Sequence, residues 1–252
     1  MSEIAALQLQ LDLRADARTK AWWEGYLKHV IPFRGVKMAD IRTVLHEWVR
    51  DEGIAQQPFE QQKELALALI RLDCCEDKLA GMLFLQEILL PAAAIDWSPD
   101  LPRFAALFEQ GYIYDWNTCD WFCVRVLGPL SEQQGEPCTR AIMGWCTAGN
   151  LWQRRAAGVA FANLARRGDA NFPGFTAMLL ATCAATVQSD ERFAQTGTGW
   201  VLRELSRAEP QQVIGFVEQH IGHFSGEGLA YAAARLPGGT QARLKALHKA
   251  HR

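Results

Sequence analysis

The sequence lacks any long apolar run. No stretch reaches the roughly 20 residues needed to span a bilayer, so no membrane-spanning helix is expected. The first residues, Met-Ser-Glu-Ile-Ala-Ala-Leu-Gln-Leu-Gln, carry neither a basic n-region nor an extended apolar h-region, so no signal peptide is expected. Cysteine is present but unpatterned. There are seven, an odd number, including the neighbours Cys74 and Cys75 and the pair Cys119 and Cys123. Their spacing frames no disulfides, and reduced thiols in a cytoplasmic protein are expected. Period-two alternation is missing, which argues against sheet. No metal motif occurs, because His220, His223, His248 and His251 have no carboxylate or cysteine partner at ligand spacing. A glycine-rich phosphate loop and a nucleophile elbow are also missing, and no cofactor is expected.

Strong net charge is absent too, at −2 for 252 residues. That balance does not announce a nucleic-acid partner, but its distribution is uneven. Residues 1–139 carry 13 Lys and Arg against 21 Asp and Glu. Residues 140–207 carry 8 against 4, and all eight are Arg, the side chain suited to bidentate phosphate or carboxylate contacts. Residues 208–252 carry 5 against 3. Such asymmetry also fits an ordinary solvated surface.

What is there is helix. Apolar residues recur at helical spacing over 16–31, 39–50, 59–72, 76–90 and 101–110, then from Asn117 to near Gly128-Pro129. Further helices are expected at 131–146, 151–165, 172–187, 190–207 and 210–219, with two short segments near Leu229 and Ala246. Between the first two, Pro32-Phe-Arg-Gly-Val-Lys37 reads as a tight connection with Gly35 in a special backbone conformation. Short connections between antiparallel helices make an all-α array, expected to fold as a single domain over 1–252. Asp120, Arg155 and Trp200 fall at intervals suited to stacked helix pairs of the HEAT type, a solenoid whose concave face lines up one helix per repeat.

Three segments carry candidate chemistry. In Trp116-Asn-Thr-Cys-Asp120, Asn117 or Thr118 can cap a helix, and Trp116 and Asp120 share one of its faces. The plain reading is a large core ring beside a capping or salt-bridged carboxylate. In Trp152-Gln-Arg-Arg155, Trp152 and Arg155 share a face, and a structural salt bridge is the plain reading. In Gly199-Trp-Val-Leu-Arg-Glu204, Trp200 and Arg203 share a face, and the plain reading is a core Trp with a surface ion pair. Together, in this order, the three resemble the AlkD-like DNA alkylation repair glycosylases, which are HEAT-like helical solenoids. Residues 26–37 also resemble that family's first helix and turn, so the likeness covers roughly residues 20–220.

The resemblance implies a catalytic carboxylate at Asp120, aromatic walls at Trp116 and Trp200, and a DNA- and site-organising arginine at Arg155. It implies further DNA contacts from Tyr26, Lys37, Arg42, Arg154 and Arg203. The substrate would be double-stranded DNA carrying alkylated purines, such as N3-methyladenine or N7-methylguanine, handled by a monomer that needs no cofactor. Two segments depart from the pattern. The turn continues as Met38-Ala-Asp-Ile-Arg42, and the family's basic C-terminal segment stands here as Phe224-Ser-Gly-Glu-Gly-Leu-Ala230. With the acidic first half, these departures predict weaker or more salt-sensitive DNA binding. The alternative is a HEAT-like scaffold that binds branched or damaged nucleic acid or a protein partner and does no chemistry; the acidic half favours it, and retention of Trp116, Asp120, Arg155 and Trp200 favours the enzyme.

Overall fold

The structure, a computed structural model, describes residues 2–251. It is all-α: fourteen α-helices, joined by short 3-10 and π segments, and no strand among the described residues. The chain divides into two compact units, Met1–Val126 and Leu127–Arg252.

The first unit holds α1 (Glu3–Asp12), α2 (Ala17–Tyr26), α3 (Met38–Asp51), α4 (Phe59–Arg71), α5 (Cys75–Phe84), α6 (Trp97–Glu109) and α7 (Trp116–Phe122). Helix α3 packs on α1 and α5, α4 on α5, and α5 on α7. Helices α1, α3, α4, α5 and α7 thus bury apolar residues on near neighbours, the packing logic of helical repeats, while α2 buries none. The α4–α5 approach is close because residue 81 is glycine; a Cβ there would lie 2.5 Å from the Ala66 carbonyl oxygen. Leu7, Leu45, Leu69, Met82, Phe104 and Phe122 are among the buried side chains of this core.

The second unit holds α8 (Gly128–Met143), α9 (Leu151–Val159), α10 (Phe175–Thr186), α11 (Arg192–Leu205), α12 (Pro210–Gln219), α13 (Gly226–Ala233) and α14 (Gly238–Ala250). Helix α11 lies at its centre, packed on α9, α10 and α13. Small residues again set the spacing: a Cβ on Gly199 would lie 2.5 Å from the Gly228 carbonyl oxygen of α13.

Several element boundaries differ from the sequence reading. Helix α1 is additional, capped by Ser2 and buried through Leu7 and Leu11. Helix α2 ends at Tyr26 and not at residue 31, because Lys28 and His29 take positive φ of 55° and 56°. Helix α6 starts at Trp97, four residues before the expected start, capped by Asp96. Helix α8 starts at Gly128 and kinks at Gly135, whose φ is 74°. Helix α9 ends at Val159, and a 3-10 segment, Leu164–Ala170, follows after a turn. The span expected for α12, 210–219, is the span observed.

Candidate functional site

In the first unit, Tyr26 sits at the end of α2 and Trp116 at the start of α7. Helix α7 is started by Asp115, a buried residue whose Oδ1 accepts from the amides of Asn117 (2.8 Å) and Thr118 (3.0 Å). The cap is therefore Asp115, and not Asn117 or Thr118, the caps the sequence offered. Those two residues supply the orphan N–H groups that the cap satisfies. Trp116 becomes the first helical residue, and Asp120 follows one turn later on the same face; both are half-buried.

Aromatic rings line the approach to Trp116. Tyr26, at the end of α2, meets the Trp116 ring edge-on at 5.6 Å. Trp22 stacks on Tyr26 at 5.2 Å with planes 10° apart, and behind them Trp23 stacks on Phe33 at 5.7 Å. Trp22 is 59% exposed and Tyr26 52% exposed, unusual for stacked rings that bury no core.

The first turn of α5 fixes the loop that follows α2 and the loop that leads into α7, and nothing in the sequence pattern singled it out. Glu76 is fully buried, and its carboxylate accepts from three successive amides: Arg34 at 2.9 Å, Gly35 at 2.7 Å and Val36 at 3.0 Å. That binds the turn after α2 at its tightest point. Gly35 has φ 95°, and a Cβ there would lie 2.2 Å from the Asp16 carbonyl oxygen, so the position requires glycine. Lys78, also buried, donates to the carbonyls of Ile70 (2.9 Å) and Tyr112 (2.8 Å) and lies 5.6 Å from the Tyr114 ring centroid. Burial lowers its pKa, with Asp73 opposing. It holds the loop that leads into Asp115 and α7. Between them, buried Asp77 pairs with Arg34 at 2.8 Å; burial pushes its carboxyl up while Arg34 pulls it down.

Lys37 is exposed at the start of α3. Arg42 pairs with Glu87 at 2.7 Å, and His46 reaches the same carboxylate at 3.1 Å.

In the second unit, Asn150 caps α9, accepting from Trp152 (2.9 Å) and Gln153 (3.1 Å). Arg154 folds back on that turn, donating to the carbonyls of Ala148 (2.7 Å) and Gly149 (2.8 Å) and pairing with Glu191. Arg155 is only 7% exposed. Its Nη1 donates to the Phe193 carbonyl at 2.7 Å. Gly197 makes room for it, since a Cβ there would come within 2.9 Å of that nitrogen. Trp152 packs on Phe193 at 5.0 Å. Trp200 is half-buried on α11, and Arg203 is bound to the neighbouring Glu204 at 2.9 Å. Gln195, another residue without a sequence signal, donates to the carbonyls of Ser189 and His223 at 2.9 Å each and accepts from Ser225, tying two loops to α11.

The chain thus presents a half-exposed aromatic–carboxylate pair in one unit, and a buried arginine and a half-exposed tryptophan in the other. Among the described residues no cluster of His, Cys, Asp and Glu could hold a metal ion, and no helix is long and apolar enough to cross a membrane.

A solved structure from Enterococcus faecalis, a predicted DNA alkylation repair enzyme, has the same fold, with a TM-score of 0.75 at 17% identity over 89% of this chain and 98% of that chain. No curated protein is significantly similar in sequence. The DNA alkylation repair enzyme family matches residues 7–236, nearly the whole length, and the chain belongs to that family.

Proposed function

We propose that this protein is a DNA glycosylase that releases cationic N3- and N7-alkylated purines from duplex DNA. The observation that carries the proposal is the pair Trp116 and Asp120, one turn apart on α7, half-exposed and flanked by Tyr26. A carboxylate beside aromatic rings is suited to stabilising a developing cation in a site poor in water.

The alkylated purine is already positively charged and leaves without a protonating acid. As the C1′–N9 bond breaks, its electron pair goes to the purine, which departs neutral, and positive charge grows on the sugar. Asp120 stabilises that charge and orients the attacking water, whose oxygen bonds to C1′ and whose proton passes to solvent. Trp116 packs on the deoxyribose, and Trp200 is an aromatic contact to the DNA. Arg155, held against the Phe193 carbonyl, organises the DNA-binding surface of its unit. Tyr26, Lys37, Arg42, Arg154 and Arg203 serve the DNA backbone. Phosphate contacts by Arg42 and Arg154 compete with their present partners, Glu87 and Glu191. The protein acts as a monomer.

The direct test is incubation of the protein with an oligonucleotide duplex containing N7-methylguanine. Release of free N7-methylguanine and an alkali-labile abasic site supports the proposal. Tight binding to that duplex with no release would favour the scaffold reading, which the acidic residues 1–139 support.

A further inference from the structure

Glu204 lies on α11 with its side chain 1% exposed, and four guanidinium groups converge on it. Arg166 Nε and Arg207 Nε lie 3.0 and 3.3 Å from one carboxylate oxygen, and Arg203 Nη2 and Arg235 Nη2 lie 2.9 and 3.2 Å from the other. They arrive from the 3-10 turn Leu164–Ala170, from α11 and the turn that directly follows it, and from the turn after α13. One arginine would neutralise Glu204. Four leave a formal charge of +3 within the reach of a single carboxylate. Like charges at this separation repel, so the surplus is a cost to the folded protein unless something anionic meets it.

The donors also exceed the acceptors. Each guanidinium carries five N–H groups, and a carboxylate offers about four lone-pair positions to share among them. The side chains of Arg166 and Arg207 remain 45% exposed and that of Arg235 38% exposed, so the unspent donors face solvent. The buried carboxylate works as an anchor that fixes the forks in place, lowering the entropy lost when they grip a ligand.

We propose that Arg166, Arg203, Arg207 and Arg235, gathered by Glu204, form a site for consecutive phosphates of a DNA backbone. Trp200 sits one turn before Glu204 on α11, so the same strand would meet the ring and then the arginines. The choice of DNA rests on the proposed function, but the site itself does not depend on glycosylase chemistry.

The test is a salt titration of binding to an undamaged duplex, read by fluorescence anisotropy, for wild type, Arg166→Ala, Arg235→Ala and the double variant. Thermal melts check that each is folded. Each single change should lower affinity and reduce the salt slope by about one, and the double change by about two. Arg243→Ala, which removes the partner of Glu218 on α14, serves as the control and should leave the slope unchanged. Slopes and affinities equal to wild type in all variants, or no duplex binding by wild type at low salt, would overturn the proposal. Changed binding of inorganic phosphate with unchanged duplex binding would make this a small-anion site and overturn its assignment to DNA. A wild type that binds with the expected slopes but releases no N7-methylguanine would sustain this site while ending the glycosylase reading; release with unchanged slopes would do the reverse.

Discussion

Glu76 gives the turn at 34–36 its shape by accepting three consecutive amides, and a carboxylate is the side chain that can do so. In Glu76→Gln, the amide oxygen could keep Gly35 and Val36, but the NH2 group would then face the Arg34 N–H, donor against donor. A buried unsatisfied amide facing a buried donor should cost about 2 kcal/mol or more, seen as a lowered midpoint in chemical denaturation. Glu204 makes a different prediction, about pH. Burial raises its pKa, but Arg203, Arg235 and Arg166 outweigh burial and hold the carboxyl below its ordinary value of 4.5. A carboxyl lowered in the folded state binds protons more readily when unfolded. Its contribution is therefore complete above the unfolded value and is lost as pH falls through the folded one. Denaturation midpoints should drop as pH is taken below about 4.5, and Glu204→Gln should be less stable at neutral pH and lose less on acidification. Trp116 and Asp120 were legible in the sequence because a shared helix face is a local property. Glu76 and Lys78 were not, because the loops they fix, at residues 34–36 and Tyr112, are reached through backbone groups more than 30 residues away, and every sequence carries backbone groups.

Among the elements, α7 is the one on which the proposed chemistry stands, and its start is set by Asp115. Asp115, Asn117 and Thr118 are all competent caps, and composition cannot choose among them. The choice falls to Asp115 because its backbone is extended, at φ −136° and ψ 160°, as the Lys78-bound loop delivers it. Asp115→Ala should cost about 1–2 kcal/mol through the lost cap. It should also slow excision by loosening Trp116, with hydrogen exchange faster at the Asn117 and Thr118 amides; unchanged exchange there would mean that the helix start is held by packing alone. Helix positions were readable from periodicity from α2 onward, while α1 was missed. Their ends were less so: α2 stops short where two successive non-glycine residues adopt left-handed geometry, a conformation that local propensity disfavours and tertiary contact must impose. Helix α8 bends where glycine allows it.

For the molecule as a whole, charge and chemistry pull in different directions. An acidic stretch over residues 1–139 opposes DNA, while the arginines of 140–207 attract it. Duplex affinity should therefore fall steeply between about 50 and 200 mM salt, and a flat titration would show that phosphate contacts contribute little. The all-α class and the family were legible because helical periodicity and the order of three short motifs survive in one sequence. The gathering of arginines around Glu204 was not, since it joins three segments that no local pattern links. The central claim is that Asp120 acts through its negative charge on a forming sugar cation. It is tested most directly by single-turnover release of N7-methylguanine from duplex DNA by Asp120→Asn, a change that keeps volume and removes charge. Folding and duplex affinity should match wild type, while the rate should fall by about two to three orders of magnitude toward spontaneous depurination. A folded, DNA-binding Asp120→Asn protein that excises at the wild-type rate would contradict the account.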